Sequence, residues 1–257
     1  IIFGNYYDYN GGILLLGLIY FSFQIYCDFS GYSDIAIGIA KLFGFELMSN
    51  FRFPYFSRDI GEFWRKWHIS LSSWFRDYLY IPLGGSKGGK WLSIRNIFII
   101  FIVSGFWHGA NWTFIIWGLI HAILYIPLFL RGKNRQYIST VVAENNWLPS
   151  LNELLQMCFT FFSTMIAWVF FRSNSISDAF NYLYRMFTKF AFPNDIRNGI
   201  PFILIVILLD WIMRRGDRSP LNFKKKSYRL ASYFIISYLI FSHFQFFDLS
   251  RFIYFQF

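Results

Sequence analysis

The stretch that decides the fold is IRNIFIIFIVSGFWHGANWTFIIWGLIHAILYIPLFL, residues 94–130. A membrane-spanning helix needs about 20 mostly apolar residues, so this stretch is too long for one span. We predict a half-spanning or re-entrant piece at 96–107, which would rise only about 18 Å as a helix, and a full span at 112–130. The break between them holds His108. Irregular backbone at membrane depth is tolerated only where protein buries it or where it lines a wet cavity.

The composition favours a membrane protein over a soluble one. Of the 257 residues, 56% are hydrophobic, 24% are aromatic and only 15% are charged, whereas soluble chains carry about 25% charged residues. We therefore predict an all-α fold, a polytopic transmembrane helix bundle with re-entrant and amphipathic helices and roughly five to seven membrane-embedded segments. The other candidate segments are Gly11–Tyr26, Leu154–Phe171, Tyr228–Phe247 and the shorter Pro201–Met213.

The net charge of +10 raises the question of a nucleic-acid partner, but the positions of the charges argue against one. The basic residues are concentrated between the apolar runs, as in the cytoplasmic loops of membrane proteins. We expect contact with anionic lipid headgroups and not with nucleic acid. One basic group is Arg131, Lys133 and Arg135; the other, which we predict to be cytoplasmic, is Arg214, Arg215, Arg218, Lys224, Lys225, Lys226 and Arg229.

Two further segments are predicted to be amphipathic helices. In the first, Ser57–Tyr80, apolar residues recur at helical spacing and charged residues share the opposite side. Such a helix lies at the membrane surface or lines the mouth of a bundle. Ser57 is its expected N-cap, and His68 falls on its apolar side. The second segment is Ser177–Phe190, with Ser177 as its expected cap.

His108 is the strongest candidate for chemistry. Ionisable groups at membrane depth are costly, so each is a functional candidate by default. The flanking glycines let other groups approach the imidazole, and an imidazole titrating near neutrality can take a proton from a hydroxyl or thiol during acyl transfer. The alternative is a histidine hydrogen-bonded inside the bundle. Considered alone, His68, His121 and His243 are better interpreted as structural.

A second polar cluster, DFSGYSD at residues 28–34, follows the first predicted span. Asp28 and Asp34 are not neighbours on one helix face, and we expect Gly31 to break the helix between them. The cluster either caps and orients helices or holds a substrate. The sequence has no His-Glu-x-x-His motif and no cysteine cluster, so we predict no metal site.

Several motifs occur in one order along the chain. They are DFSGYSDIAIG at 28–38, NFRFPY at 50–55, FWRKWHISLS at 63–72, RDYLYIPLGG at 76–85, GFWHGANW at 105–112 and the closing FIYFQF at 252–257. Together they resemble a signature of bacterial membrane-bound O-acyltransferases of the alginate O-acetylation type. The resemblance implies that residues 1–257 form a single membrane-embedded domain with its helices around a central funnel. It also implies that this domain is the C-terminal portion of a longer protein, without its N-terminal spans.

The resemblance implies roles for particular residues. In that family the histidine of a Trp-His-Gly motif is catalytic, which corresponds to His108. A second polar residue at the end of a Trp-rich segment commonly joins it, and His68 fits that place. The remaining candidates, expected to bind substrate or line the funnel, are Asp28, Ser30, Tyr32, Asp34, Trp67, Asp77, Trp107, Asn111 and His121.

The resemblance further implies an O-acetyltransferase that moves an acetyl group from a cytoplasmic thioester towards an extracytoplasmic polysaccharide such as alginate. The donor would be acetyl-CoA or another acyl thioester, with no permanently bound cofactor. The implied location is the bacterial cytoplasmic (inner) membrane, as a multi-pass protein among lipids, with a separate periplasmic or extracellular acetyltransferase as partner. Two alternatives remain open: D-alanyl transfer from a carrier protein to teichoic acid, and a non-enzymatic acyl conduit.

Overall fold

The computed structural model describes residues 2–193, 198–216 and 225–243, and within these ranges the chain is helical with no β-strand. This confirms the predicted all-α class. Two short 3₁₀ turns, Tyr6–Asp8 and Pro54–Phe56, and a five-residue π-helical turn, Arg76–Tyr80, accompany the α-helices. The α-helices are α1 Gly11–Leu42, α2 Ile60–Lys66, α3 Ile69–Phe75, α4 Lys90–His108, α5 Trp112–Leu130, α6 Leu151–Arg172, α7 Ile176–Thr188, α8 Ile200–Met213 and α9 Lys226–His243.

Helix α1 is one continuous helix of 32 residues, so the predicted break at Gly31 is wrong. Its start is fixed by Asn10, whose side chain accepts a hydrogen bond from the backbone N–H of Ile13 at 3.0 Å. Glycine in a helix interior costs only about 1 kcal/mol relative to alanine, which a long helix tolerates. The predicted span Gly11–Tyr26 is therefore the first half of a longer helix.

The segment predicted as one amphipathic helix is three pieces: α2, α3 and the π-helical turn. The chain turns at His68, whose φ of 43° is left-handed and cannot continue α2. Asn50 holds the far side of this turn, because its side-chain oxygen accepts hydrogen bonds from the Ser70 hydroxyl at 2.6 Å and the Ser70 N–H at 3.2 Å. The cap of α2 is Asp59, which accepts from the N–H of Glu62, and not Ser57.

Helices α4 and α5 form a tight hairpin whose short connection follows His108, as the glycine pattern predicted. The predicted half-spanning piece is wrong, however, because α4 begins at Lys90 and has 19 residues. The helices approach closely through two glycines. A Cβ added at Gly105 would overlap the carbonyl oxygen of Phe114, and one at Gly118 would overlap that of Phe101.

Four helices are long and apolar enough to cross a membrane within the described residues: α1, α4, α5 and α6. Helix α6 agrees with its predicted span and begins with a capping box formed by Ser150 and Glu153. Helix α8 is apolar but has 14 residues, and α9 is not among the candidate spans. Part of the predicted span Tyr228–Phe247 lies outside the described residues, as do Arg218, Lys224 and the ending at 252–257. Helix α7 is capped by Ser175, not by Ser177.

The core is predominantly aromatic and lies between α1, α2, α5 and α6. Its largest fully buried side chains include those of Trp117, Trp168, Tyr26 and Phe63. Aromatic rings in such clusters prefer edge-to-face contact, and Phe51 and Trp67 show it with ring centroids 5.1 Å apart.

Beside the core lies a buried ion cluster on α2. Glu62 is fully buried and binds Arg58 at 3.0 Å and Lys66 at 2.7 Å. Burial alone raises the pKa of the Glu62 carboxyl, but the hydrogen bond from Arg58 and the charge of Lys66 bring the pKa below its usual value. The cluster stabilises the C-terminal end of α2, just before the chain turns at His68.

Candidate active site

A small cavity of about 170 Å³ lies at the end of α4, and both His68 and His108 line it. These two histidines are forty positions apart in the sequence, and they line one cavity because α3 begins beside the end of α4. The other side chains around the cavity are Ile25, Phe29, Trp64, Trp67, Leu71, Ser104, Trp107, Trp117, Trp168 and Phe171.

His108 is the last residue of α4 and is half-buried. Its ring is surrounded by aromatic rings: centroid distances are 4.9 Å to Phe171, 5.2 Å to Trp117 and 4.9 Å to Trp107. Among the described residues no hydrogen bond holds either ring nitrogen. The imidazole is therefore positioned by packing, and its nitrogens remain available to a ligand in the cavity.

His68 enters the cavity from the N-terminus of α3. Its ring contacts Phe29 edge to face, with centroids 4.6 Å apart, and its Nδ1 lies 3.4 Å from the Ser70 hydroxyl oxygen. That hydroxyl donates its own hydrogen to Asn50, so Nδ1 must carry the proton in this contact and Nε2 is left as an acceptor. Burial lowers the pKa of the His68 imidazole to about 4, so the ring is neutral at physiological pH.

Two more of the residues predicted from sequence belong to this cavity. Trp67 is buried and stacks on Phe63, with planes 17° apart. Trp107 contacts both histidines, with its ring centroid 4.9 Å from that of His108 and 6.4 Å from that of His68. Both therefore shape the space around the imidazoles.

The polar cluster at 28–34 does not line the cavity, although Phe29 within it does. Ser30 is buried, Asp28 is half-buried, and Tyr32 is exposed along α1. Asp34 lines a different, larger cleft. The unbroken helix distributes these side chains around its circumference.

Three other residues predicted to belong to the site do not line the cavity, and each makes other contacts. Asn111 caps α5, accepting from the N–H of Thr113 at 3.1 Å and donating to the carbonyl of Asn174. Asp77 is exposed and paired with Arg76 at 2.7 Å. His121 is fully buried, and its Nδ1 accepts a hydrogen bond from the Trp64 indole at 3.4 Å.

Several lining residues were not singled out from the sequence, and the cavity they form is more apolar than expected. Ser104 precedes His108 by one helical turn on the same face of α4, a spacing that could have indicated it. Trp117 and Trp168 come from α5 and α6, and only packing brings them together, with centroids 5.9 Å apart. No group of histidine, cysteine, aspartate and glutamate side chains suited to a metal ion occurs in the described part of the chain.

A second feature is a cleft of about 1030 Å³ on the opposite side of α2. Its lining carries six cationic side chains against three anionic ones, one of which is the Glu62 of the ion cluster. Arg52 is exposed and has no ion-pair partner in the described ranges. The cations are Lys41, Arg52, Arg65, Lys66, Arg214 and Arg215, and the anions are Asp34, Glu46 and Glu62.

Known proteins are similar in sequence to the part of the chain that forms this cavity. The sequence model of the membrane-bound O-acyltransferase family matches residues 12–130, the segment that supplies both histidines. The chain is 46% identical over 161 residues to a probable alginate O-acetylase AlgI of Pseudomonas syringae, covering 63% of this chain and 29% of that protein. It is 43% identical over 164 residues to a peptidoglycan O-acetyltransferase of Helicobacter pylori, covering 63% of this chain and 29% of that protein.

A more distant relative is a teichoic acid D-alanyltransferase of Bacillus subtilis, 35% identical over 144 residues, with 53% of this chain and 34% of that protein covered. The chain thus spans about a third of the length of the curated relatives it matches. The family match and the identity to these relatives agree. The chain belongs to the membrane-bound O-acyltransferase family.

Proposed function

We propose that the full-length protein is a membrane O-acetyltransferase. It takes an acetyl group from a cytoplasmic thioester, acetyl-CoA or another acyl donor, and passes it towards a hydroxyl of an extracytoplasmic polysaccharide. The observation that carries this proposal is that His68 and His108 line one small, largely apolar cavity at the end of α4. An apolar site strengthens every polar interaction made inside it.

In the proposed reaction His108 is the general base. It accepts the proton of the attacking hydroxyl while the hydroxyl oxygen bonds to the acyl carbon and the carbon–sulfur bond breaks. The proton then passes to the departing thiolate, so the products are an ester and a free thiol. General-base catalysis of this kind contributes about 10²–10⁴ in rate.

His68 is proposed to orient a reactant. Its Nδ1 proton is directed at Ser70, which leaves Nε2 as a hydrogen-bond acceptor for an N–H or O–H group of the donor or acceptor. This tautomer favours an orienting role over stabilisation of an oxyanion, which would need a donor.

The donor is proposed to arrive at the basic cleft. The cations there and those of the loop at 131–135 favour the cytoplasmic side under the positive-inside rule, and they would attract the phosphates of coenzyme A. We further propose that the protein lies in the bacterial cytoplasmic membrane and that a separate extracytoplasmic acetyltransferase carries the acetyl ester formed at His108 on to the polysaccharide. Acetyl is preferred over D-alanyl because the chain is 43–46% identical to the named acetylating relatives and 35% to the D-alanyltransferase.

The test uses membranes containing the full-length protein, radiolabelled acetyl-CoA and the native polysaccharide. We expect label in the polysaccharide with the wild type and none above background with His108→Ala. The matched control is Trp74→Ala, which removes an exposed aromatic residue outside the cavity. Near-normal acetylation by a well-folded His108→Ala protein would exclude His108 as the base and favour a conduit.

A further inference from the structure

A second cavity of about 250 Å³ adjoins the histidine cavity. Three residues line both, namely Trp64, Leu71 and Ser104, and so form the wall between them. The second cavity is bounded mainly by apolar side chains of α4 and α5 and ends at polar residues. Its other lining residues are Ser72, Phe75, Arg76, Tyr80, Ile97, Ile100, Phe101, Tyr125, Phe129, Asn134 and Arg135.

Trp64 is the largest part of this wall, and it is held in place. Its indole N–H donates to Nδ1 of the fully buried His121 at 3.4 Å, and its ring contacts Phe101 at 5.4 Å and Trp117 at 5.8 Å between centroids. Swinging the indole aside would leave the Trp64 N–H and Nδ1 of His121 without this hydrogen bond, which is unfavourable for buried groups. The wall is therefore a fixed part of the fold.

The wall limits what fits beside the histidines. The histidine cavity, about 170 Å³, is smaller than the roughly 300–1,000 Å³ typical of small-molecule pockets. A short acyl group fits there, whereas a longer chain needs further space, and one such space lies behind Trp64. Beyond Trp64 lies the larger apolar space in which such a chain could be buried.

We propose that Trp64 determines acyl-chain length, restricting the site to short acyl groups by separating the two cavities. His121 accepts the hydrogen bond of the Trp64 indole. The inference rests on the proposed acyl transfer and deepens it. The chemical step is the same for every chain length, with the carbon–sulfur bond replaced by a carbon–oxygen bond, and Trp64 takes no part in it.

The experiment measures transfer from acetyl-CoA, butyryl-CoA and hexanoyl-CoA by the full-length protein in membranes. The readout is the ratio of hexanoyl to acetyl transfer, which a uniform loss of activity does not change. Trp64→Ala should raise this ratio about tenfold or more, since room for extra methylenes in an apolar pocket is worth that much. Leu71→Ala is a smaller change in the same wall and should raise the ratio less. It provides a second measurement of the wall if Trp64→Ala fails to fold.

Two further variants make the test specific. Trp74→Ala is the same substitution at an exposed site on α3 outside both cavities, and it should leave the ratio at the wild-type value. Ile100→Trp in the Trp64→Ala background should refill the second cavity and restore the preference for acetyl. Ile100 is half-buried and lines the second cavity but not the histidine cavity.

The inference is overturned if Trp64→Ala and Leu71→Ala transfer acetyl but keep the wild-type ratio. It is also overturned if Ile100→Trp fails to reverse the gain. A wild-type protein that transfers no acyl group at all would overturn the proposed function and this inference with it, and that result differs from an unchanged ratio.

Discussion

The imidazole of His68 and the indole of Trp107 meet edge to face, with ring centroids 6.4 Å apart and planes inclined at 68°. Trp107 also contacts the ring of His108, its neighbour in sequence, at 4.9 Å. One aromatic side chain thus touches both candidate catalytic histidines and couples their positions.

The coupling leads to a prediction about paired substitutions. His108→Ala should lower acetyl transfer by about 10²–10⁴, the usual contribution of a general base, and His68→Ala should lower it less. The double variant should be no slower than His108→Ala alone, because orienting the reactant accelerates transfer only where His108 is present to accept its proton. Initial rates with full-length protein in membranes measure this. Fully multiplicative losses would show that the two histidines act independently.

A second prediction concerns pH and stability. The pKa of His68 is about 4 in the folded protein and about 6.5 when the chain is unfolded. The unfolded state therefore binds more protons between these values, so this contribution to stability is complete above about pH 6.5 and is lost as the pH falls towards 4. Thermal unfolding in detergent should show a smaller loss between pH 7 and pH 4.5 for His68→Asn than for the wild type. An equal loss of thermal stability in the two proteins over this pH range would contradict the lowered pKa of His68.

The buried ion cluster gives a third prediction. Glu62→Ala removes the partner of Arg58 and Lys66, and breaking a buried pair in this way costs about 3–5 kcal/mol because a charge is left uncompensated. We expect strongly reduced yield of folded protein. The control is Asp77→Ala, which breaks an exposed pair and should have little effect. Equal yields for the two variants would show that the cluster is not needed for folding.

Two glycines provide a matched fourth prediction. Gly118→Ala places a methyl group against the carbonyl of Phe101, whereas Gly31→Ala meets no atom within 4 Å. The first should destabilise by about 1–3 kcal/mol through overpacking, and the second should be neutral or stabilise by about 0.4–1 kcal/mol. Midpoints of thermal unfolding separate the two, and a stable Gly118→Ala protein would argue against close packing of α4 on α5.

The basic cleft yields a fifth prediction. Arg52→Ala should raise KM for acetyl-CoA with little change in kcat. The reason is that the cleft is proposed to bind the donor phosphates and does not include the histidines. The difference from the wild type should shrink at high salt, since screening weakens such attraction. Lys87→Ala removes an exposed cation outside the cleft and should leave KM unchanged. A fall in kcat alone would place Arg52 in another role.

The helices themselves were largely predictable, because a bilayer requires long apolar runs and the sequence displays them. The connection after His108 was also predictable, since glycines flank it. The predicted break at Gly31 was wrong because a long helix tolerates one interior glycine. The single helix predicted at 57–80 was wrong because contacts from elsewhere in the chain decide where it turns. The turn at His68 depends on Asn50, which lies outside the segment whose spacing was considered.

The site was predictable only in part. The two histidines were indicated by the family resemblance, and the structure brings them to one cavity. The spacing of Trp117 and Trp168 along the chain gives no sign that they meet. Asp28 and Asp34, although prominent in the sequence, do not line the histidine cavity.

The α4–α5 hairpin has a consequence for how the orientation of the protein can be read. Few residues join α4 and α5, and both are long and apolar enough to cross a membrane. When both cross it, the residues before Lys90 and those after Leu130 emerge from the same leaflet, and His108 faces the other one. A single reporter enzyme fused near Lys133 would therefore give the sidedness of the histidine cavity as well. If that reporter is cytoplasmic, the acetyl thioester of a donor bound on that side must reach His108 across roughly the 28 Å length of α4, and the reaction is vectorial.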